Sequence, residues 1–210
     1  LLKNPILVPE EVAVAYLNSE TGVNDHKQAL EGARQILMER FAEEADLLEK
    51  LRGYVWDNAI LTSKVVDGML EAGAKFADYF DSHEPMKEIP SHRALAMFRG
   101  RKEGILHLSI AIGNNNDDSS PEAPQPNVCE HTIAQYFKIE NQGRPADAWL
   151  LETVRLAWRF KIRLHLDSEL MTRLREAAEA EAIKVFASNL QDLLLAAPAG
   201  PRTTLGLDPG

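Results

Sequence analysis

Two runs of basic side chains are the residues of this sequence whose type and spacing can do chemistry. Arg93, Arg99, Arg101 and Lys102 form the first, and Arg155, Arg159, Lys161 and Arg163 the second. Cations grouped in this way contact phosphate oxygens. In the second run Trp158 and Phe160 alternate with the bases, a pattern that holds single strands by stacking bases on rings. A plainer reading competes for both runs. The first can be a solvated face that offsets acids such as Glu103, and the second can be core aromatics covered by arginine stems. Cys129-Glu130-His131 invites a metal reading, but one Cys and one neighbouring His lack the four-ligand spacing of a structural zinc site. Asp208, before Pro209, is a lone carboxylate, and the residues from Gly206 to Gly210 lack the Lys-Ser/Thr ending of a phosphate-binding loop. No Ser/His/Asp arrangement can be argued. The expectation is a chain with no catalytic residues, no metal and no cofactor, and so no enzyme by itself.

Composition sets the frame in which those residues must be held. Of 210 residues, 45% are hydrophobic and 26% charged, the balance of a globular chain with a sizeable core. The formal net charge is −9, so the chain as a whole repels phosphate and only a local basic patch can bind nucleic acid. The longest apolar runs are far shorter than the roughly 20 residues that span a bilayer, and no secretory leader is legible at the start. A single cysteine excludes an internal disulfide and suits a reducing compartment. No membrane association and a cytoplasmic location are therefore expected.

Periodicity predicts a predominantly α, multi-helical fold with a small antiparallel β-sheet and a long C-terminal helix. Pro9-Glu10-Glu11 opens a short helix with Val12, Ala15 and Tyr16 on one face. Asp25 and Gln28 can cap a helix from about His26 to Ala42, with Leu30, Ala33, Ile36, Leu37 and Phe41 at helical spacing. Leu47, Leu48, Leu51, Tyr54 and Val55 repeat the pattern. The β-branched segment 60–66 reads as a strand, the aromatic segment 75–80 as its hairpin partner, and 104–112 alternates as a third strand. Between them Ser91 caps a helix ending at Gly100. Residues 113–127, rich in Asn, Asp, Ser and Pro, read as a polar loop, followed by a helix near 128–137. Residues 146–164 form another helix. Asp167 or Ser168 then caps a last helix to about Ala196, striped by Leu170, Leu174, Ala178, Ala182, Val185, Phe186, Leu190 and Leu193. That helix is about 40–45 Å long, more than a small domain needs, and suits an element that supports other domains. Thr203 to Gly210 reads as a strand entering a tight turn. The start at Leu1 and this partnerless strand suggest a piece of a longer protein.

Several runs, taken in order, resemble the central region of the Tex family of bacterial transcription accessory proteins. They are Leu51-Arg52-Gly53-Tyr54-Val55-Trp56-Asp57, Gly73-Ala74-Lys75-Phe76 with Asp78-Tyr79-Phe80, Pro90-Ser91-His92-Arg93-Ala94-Leu95-Ala96-Met97-Phe98-Arg99-Gly100, residues 173–183, and Ala197-Pro198-Ala199-Gly200-Pro201 leading to Gly206-Leu207-Asp208-Pro209-Gly210. The polar run 114–120 and Met69-Leu70 depart from the family pattern. The resemblance implies a longer protein that adds a YqgF-type RNase H-like domain, helix-hairpin-helix motifs and an OB-fold RNA-binding domain. It divides this chain into a helical region with a small sheet (1–112), a polar loop (113–127), a helical region with the long helix (128–200) and the first strand of the RNase H-like domain (201–210). On that division Asp208 matches the first acidic position of the RNase H-like fold, where several carboxylates hold divalent metal, although its partners lie elsewhere. The implied function is a helical scaffold for nucleic-acid-binding domains, with RNA or DNA and possible transcription machinery as partners of the full-length protein. The alternatives are part of a metal-dependent nuclease or a protein-interaction module.

Overall fold

The computed structural model describes residues 1–112, 127–198, 200–203 and 205–207. The Asn114–Ser120 run and Asp208 fall outside them. The fold is predominantly helical, as the periodicity predicts, with one small antiparallel sheet and a long final helix.

Helix α1 (Pro9–Val14) is short and buries Pro9 and Ala13 rather than the expected Val12/Ala15/Tyr16 face. Helix α2 (His26–Ala42) begins as the capping residues predict. Asp25 Oδ1 accepts from the Gln28 N–H at 2.8 Å, and Gln28 Oε1 reaches back to the Asn24 N–H at 2.7 Å. Its buried residues are Met38 and Phe41, while Ile36 faces solvent. Helix α3 (Ala45–Asn58) buries Leu47, Leu51 and Val55 at helical spacing, each worth about 1.5–3 kcal/mol of apolar burial. Leu48 and Tyr54 pack at the core's edge.

The sheet has the order β2-β1-β3, from β1 (Ala59–Val65), β2 (Asp81–Pro85) and β3 (Leu106–Ile112). Both pairings are antiparallel, with Leu61 opposite Glu84 on one side and Ile110 on the other. In β3, Leu106, Leu108 and Ile110 enter the core and His107 and Ser109 face out, the alternation that the sequence displays.

The predicted strand at 75–80 is instead a 3-10 helix, Ala74–Tyr79, and the partner of β1 is the next segment, β2. The chain cannot be extended here. The Gly73 N–H bonds back to the Met69 carbonyl at 2.8 Å, and the Phe76 N–H to Gly73 at 2.7 Å. Gly73 also lies so close to Ile105 that a Cβ would stand 2.4 Å from its Cγ2. β2 reads Asp-Ser-His-Glu-Pro, with no apolar alternation to reveal it, and Pro85 is tolerated because the strand is at the sheet edge.

Helix α4 (Ser91–Lys102) starts without a side-chain cap from Ser91 and runs through Gly100. It stops at Gly104, whose φ is +72°. There the Gly104 N–H bonds to the Arg101 carbonyl at 3.1 Å and the Ile105 N–H to Gly100 at 2.9 Å, a Schellman end that satisfies the last carbonyls. Gly100 is needed for another reason: a Cβ there would lie 2.5 Å from Leu106 Cδ1.

Helix α5 (Val128–Tyr136) is capped by Asn127, whose Oδ1 accepts from the Glu130 N–H at 2.9 Å. Helix α6 (Asp147–Ala157) passes through a π turn (Trp158–Ile162) directly into α7 (Arg163–Leu194). The predicted break at Asp167 or Ser168 is absent, since no Gly or Pro interrupts the stretch from 147 to 194. The 32 residues of α7 make it about 48 Å long. Buried residues of α2 through α7, of β1 and of β3 join in one core, where Phe41 and Phe137 stack with centroids 4.3 Å apart. The first half of the α7 stripe, Leu166, Leu170, Leu174 and Ala178, belongs to this core; Val185, Phe186, Leu190 and Leu193 beyond it are exposed.

Candidate nucleic-acid interface

Of the first basic run, Arg99, Arg101 and Lys102 lie on the last turn of α4, where cations complement the negative end of the helix dipole, while Arg93 lies in its first turn. The four residues are not equivalent. Arg93 is turned inward: its Nε and Nη2 donate to Glu84 Oε1 at 2.8 and 2.5 Å, and its guanidinium sits 5.1 Å from the Tyr79 ring. This bridge ties α4 to β2. Arg99 donates to Glu103 Oε1 at 2.9 Å, and Lys75 pairs with Glu103 Oε2 at 2.6 Å. The two cations hold the Glu103 carboxyl below its ordinary range. Arg101 and Lys102 are exposed, and among the described residues neither makes an ion pair. Lys75 therefore belongs with this patch, and sequence reasoning missed it because the 3-10 helix brings it in from 24 residues before Arg99.

The second run straddles the π turn. Arg155 pairs loosely with Glu152 at 3.4 Å. Lys161 is bonded to Glu39 of α2. Arg163 approaches Asp167 at 3.8 Å and donates to the Ile110 carbonyl of β3 at 3.4 Å. Arg159 lies 5.4 Å over the Phe160 ring. The two aromatics separate cleanly: Trp158 is 2% exposed and belongs to the core, while Phe160 is 53% exposed.

Further cations act across helices and carried no signal in the sequence. Arg52 of α3 makes a two-pronged bond with Glu169 of α7 at 2.6 and 3.2 Å. Arg173 of α7 stacks 4.0 Å from the Trp56 ring. Both clamp α3 against α7.

Burial raises the proton affinity of two groups, Cys129 and Asp167. Burial, with a smaller push from Glu130 and an opposing pull from Arg163, raises the Cys129 thiol to about 12, so it is a protonated core residue and not a thiolate ligand. Burial raises the Asp167 carboxyl to about 6 against the partial compensation of Arg163, and its Oδ1 is buried with no hydrogen-bond partner among the described residues. Among the described residues no group of three or more His, Cys, Asp or Glu side chains is arranged to hold a metal. A shallow groove of about 430 Å³ runs between α4 and α7, lined by Leu95, Ala182, Val185 and Phe186 among others. No helix among the described residues is long and apolar enough to cross a membrane.

The helical core, the three-stranded sheet and the long final helix define a predominantly helical module. Residues 4–186 match the family described as Tex central region-like, and the chain belongs to that family. It is 54% identical over its whole length to Protein YhgF of Escherichia coli K12, covering 27% of that protein. It is 50% identical to Transcriptional accessory protein Tex of Neisseria gonorrhoeae, over 96% of this chain and 25% of that protein. More distantly, it is 25% identical to the human S1 RNA-binding domain-containing protein 1, over 85% of this chain and 18% of that protein. The chain thus spans about a quarter, or less, of the curated relatives it matches.

Proposed function

We propose that this chain is a helical scaffold segment of a cytoplasmic transcription accessory protein that associates with RNA or DNA. In this reading it has no catalytic role of its own. Residues 1–112 and 128–200 build the support, and residues 201–210 lead into an RNase H-like domain. The observation that carries the reading is the change of environment along α7. One apolar stripe is buried from Leu166 to Ala178 and exposed from Val185 to Leu193. Leaving such a stripe in water forgoes about 1.5–3 kcal/mol per large side chain, which is the mark of a surface meant to be covered. The names of the Neisseria and human relatives, a transcriptional accessory protein and an S1 RNA-binding domain-containing protein, support a place in transcription and nucleic-acid association.

The test is a titration of labelled RNA at physiological salt with this chain and with the full-length protein. The proposal expects the chain to bind at least tenfold more weakly. Equal affinities would move the binding activity into the chain and end the scaffold reading. Cleavage of RNA in magnesium by the full-length protein, lost in Asp208→Asn, would instead establish the nuclease alternative.

A further inference from the structure

The π turn at Trp158–Ile162 is the one wide turn in the continuous helical path from Asp147 to Leu194 among the described residues. Its closing bond runs from the Arg163 N–H to the Trp158 carbonyl, five residues back. Widening the turn lets Trp158 and Ile162 both sit in the core, at 2% and 0% exposure, and turns Arg159 and Phe160 outward together. Such single-turn π bulges recur at functional sites. A lone exposed phenylalanine is ordinary; the surroundings of this one are not. In a chain of net charge −9, residues 155–163 hold four cations and no acid. Glu39, Glu152 and Asp167 from flanking positions engage Lys161, Arg155 and Arg163 respectively. That leaves Arg159 as the cation of this run that makes no ion pair among the described residues, and its guanidinium rests on the Phe160 ring.

We propose that Phe160 is a stacking platform for one base of a single-stranded nucleic acid, with Arg159 as the contact to a neighbouring phosphate. The inference rests on the nucleic-acid association proposed above and adds a site to it. One face of the ring carries the guanidinium, and the exposed remainder offers a π surface. A base stacked there is recognised without regard to sequence, because every base has a π face. Duplex bases are hidden in their stack, so the site selects single strands. The π turn holds the ring out by anchoring its neighbours on both sides, and no loop has to order on binding.

The experiment uses the full-length protein carrying this chain and a 12-mer oligouridylate with 4-thiouridine at its centre. Affinity is read by anisotropy and contact by photocrosslinking with peptide mapping. The expected result is a crosslink on the peptide containing Phe160, a roughly tenfold loss of affinity in Phe160→Ala and near-native affinity in Phe160→Trp. Arg159→Ala lowers the slope of log affinity against log salt by about 0.7, the value for one single-strand phosphate contact. Because Phe160 is exposed, Phe160→Ala keeps the fold, which its helical circular dichroism and Tm verify. A protein that binds the 12-mer with no crosslink at Phe160 and unchanged affinity in Phe160→Ala overturns the site alone. A full-length protein that binds no oligonucleotide overturns both the site and the reading beneath it. A duplex that binds as tightly as the single strand, with the same dependence on Phe160, overturns the stacking mechanism.

Discussion

Gly100→Ala sets two physical effects against each other, and the structure decides which wins. In the interior of α4, alanine is favoured over glycine by about 1 kcal/mol of helix propensity. Against this, the new Cβ would stand 2.5 Å from Leu106 Cδ1 and 2.8 Å from Leu106 Cγ, where carbon atoms rest at about 3.5–4.0 Å. Leu106 cannot step aside. It is 2% exposed, and its backbone is held in register opposite Val65 in the sheet. Overpacking costs about 1–3 kcal/mol, and two such short contacts against a held side chain put this case at about 2–3 kcal/mol, so after the propensity gain of about 1 kcal/mol a net loss of about 1–2 kcal/mol is expected. In a chain of this size that is a fall in Tm of about 3–6 °C. Gly53→Ala is the internal control. Gly53 lies in the exposed middle of α3 with no atom within 4 Å of a would-be Cβ, so only propensity acts and the Tm rises by about 2 °C. Thermal and urea unfolding of the two variants beside wild type measure the signs. A Gly100→Ala protein as stable as wild type would refute the argument that α4 and β3 touch through this glycine.

Asp167→Asn is expected to change how stability depends on pH. The folded carboxyl titrates at about 6 and the unfolded one at the ordinary 3.8. Between those values the folded state binds the proton more tightly, so wild-type stability falls as pH rises through the window, and the loss is complete above about 6. Allowing for its partial exposure, the variant gains about 1 kcal/mol at pH 8 and nothing at pH 4, as urea midpoints at the two pH values report; an unchanged pH profile would contradict the burial of this group. Phe41→Ala empties a fully buried site beside Phe137 and is expected to cost about 3–5 kcal/mol, read from the urea midpoint. Arg173→Ala removes the guanidinium from the Trp56 face and should lower stability by about 0.5–1 kcal/mol, with a change in tryptophan emission; identical emission and stability would mean that the stack contributes nothing.

The elements legible in the sequence are those whose signal is local. The Asp25 and Gln28 cap, the Leu47/Leu51/Val55 spacing and the alternation of β3 all depend on neighbours within a few residues, and each appears as read. The elements misread are those decided at a distance. β2 is a strand because β1 offers it hydrogen bonds, not because Asp-Ser-His-Glu-Pro favours one. Segment 75–80 has strand-like aromatics, yet the bonds from the Gly73 N–H to Met69 and from the Phe76 N–H to Gly73 wind the chain into turns there. Helix α4 runs past Gly100 to Lys102 because Gly100 serves packing, while Gly104 beyond the end takes the left-handed conformation that closes it. At the candidate interface the sequence names cations but not what each of them engages. Nothing local shows that Arg93 is spent on Glu84, that Lys75 joins Arg99 at Glu103, or that Trp158 goes inside while Phe160 stays out.

The scaffold claim is tested most directly by hydrogen exchange along α7, compared between this chain and the full-length protein. Residues 163–178, packed on the core, should be protected in both. Residues 183–194 should exchange quickly in the chain, where their apolar stripe meets water, and become protected by at least an order of magnitude in the full-length protein, where other domains cover it. Equal exchange of residues 183–194 in the two proteins would contradict the claim that this half of the helix exists to be covered.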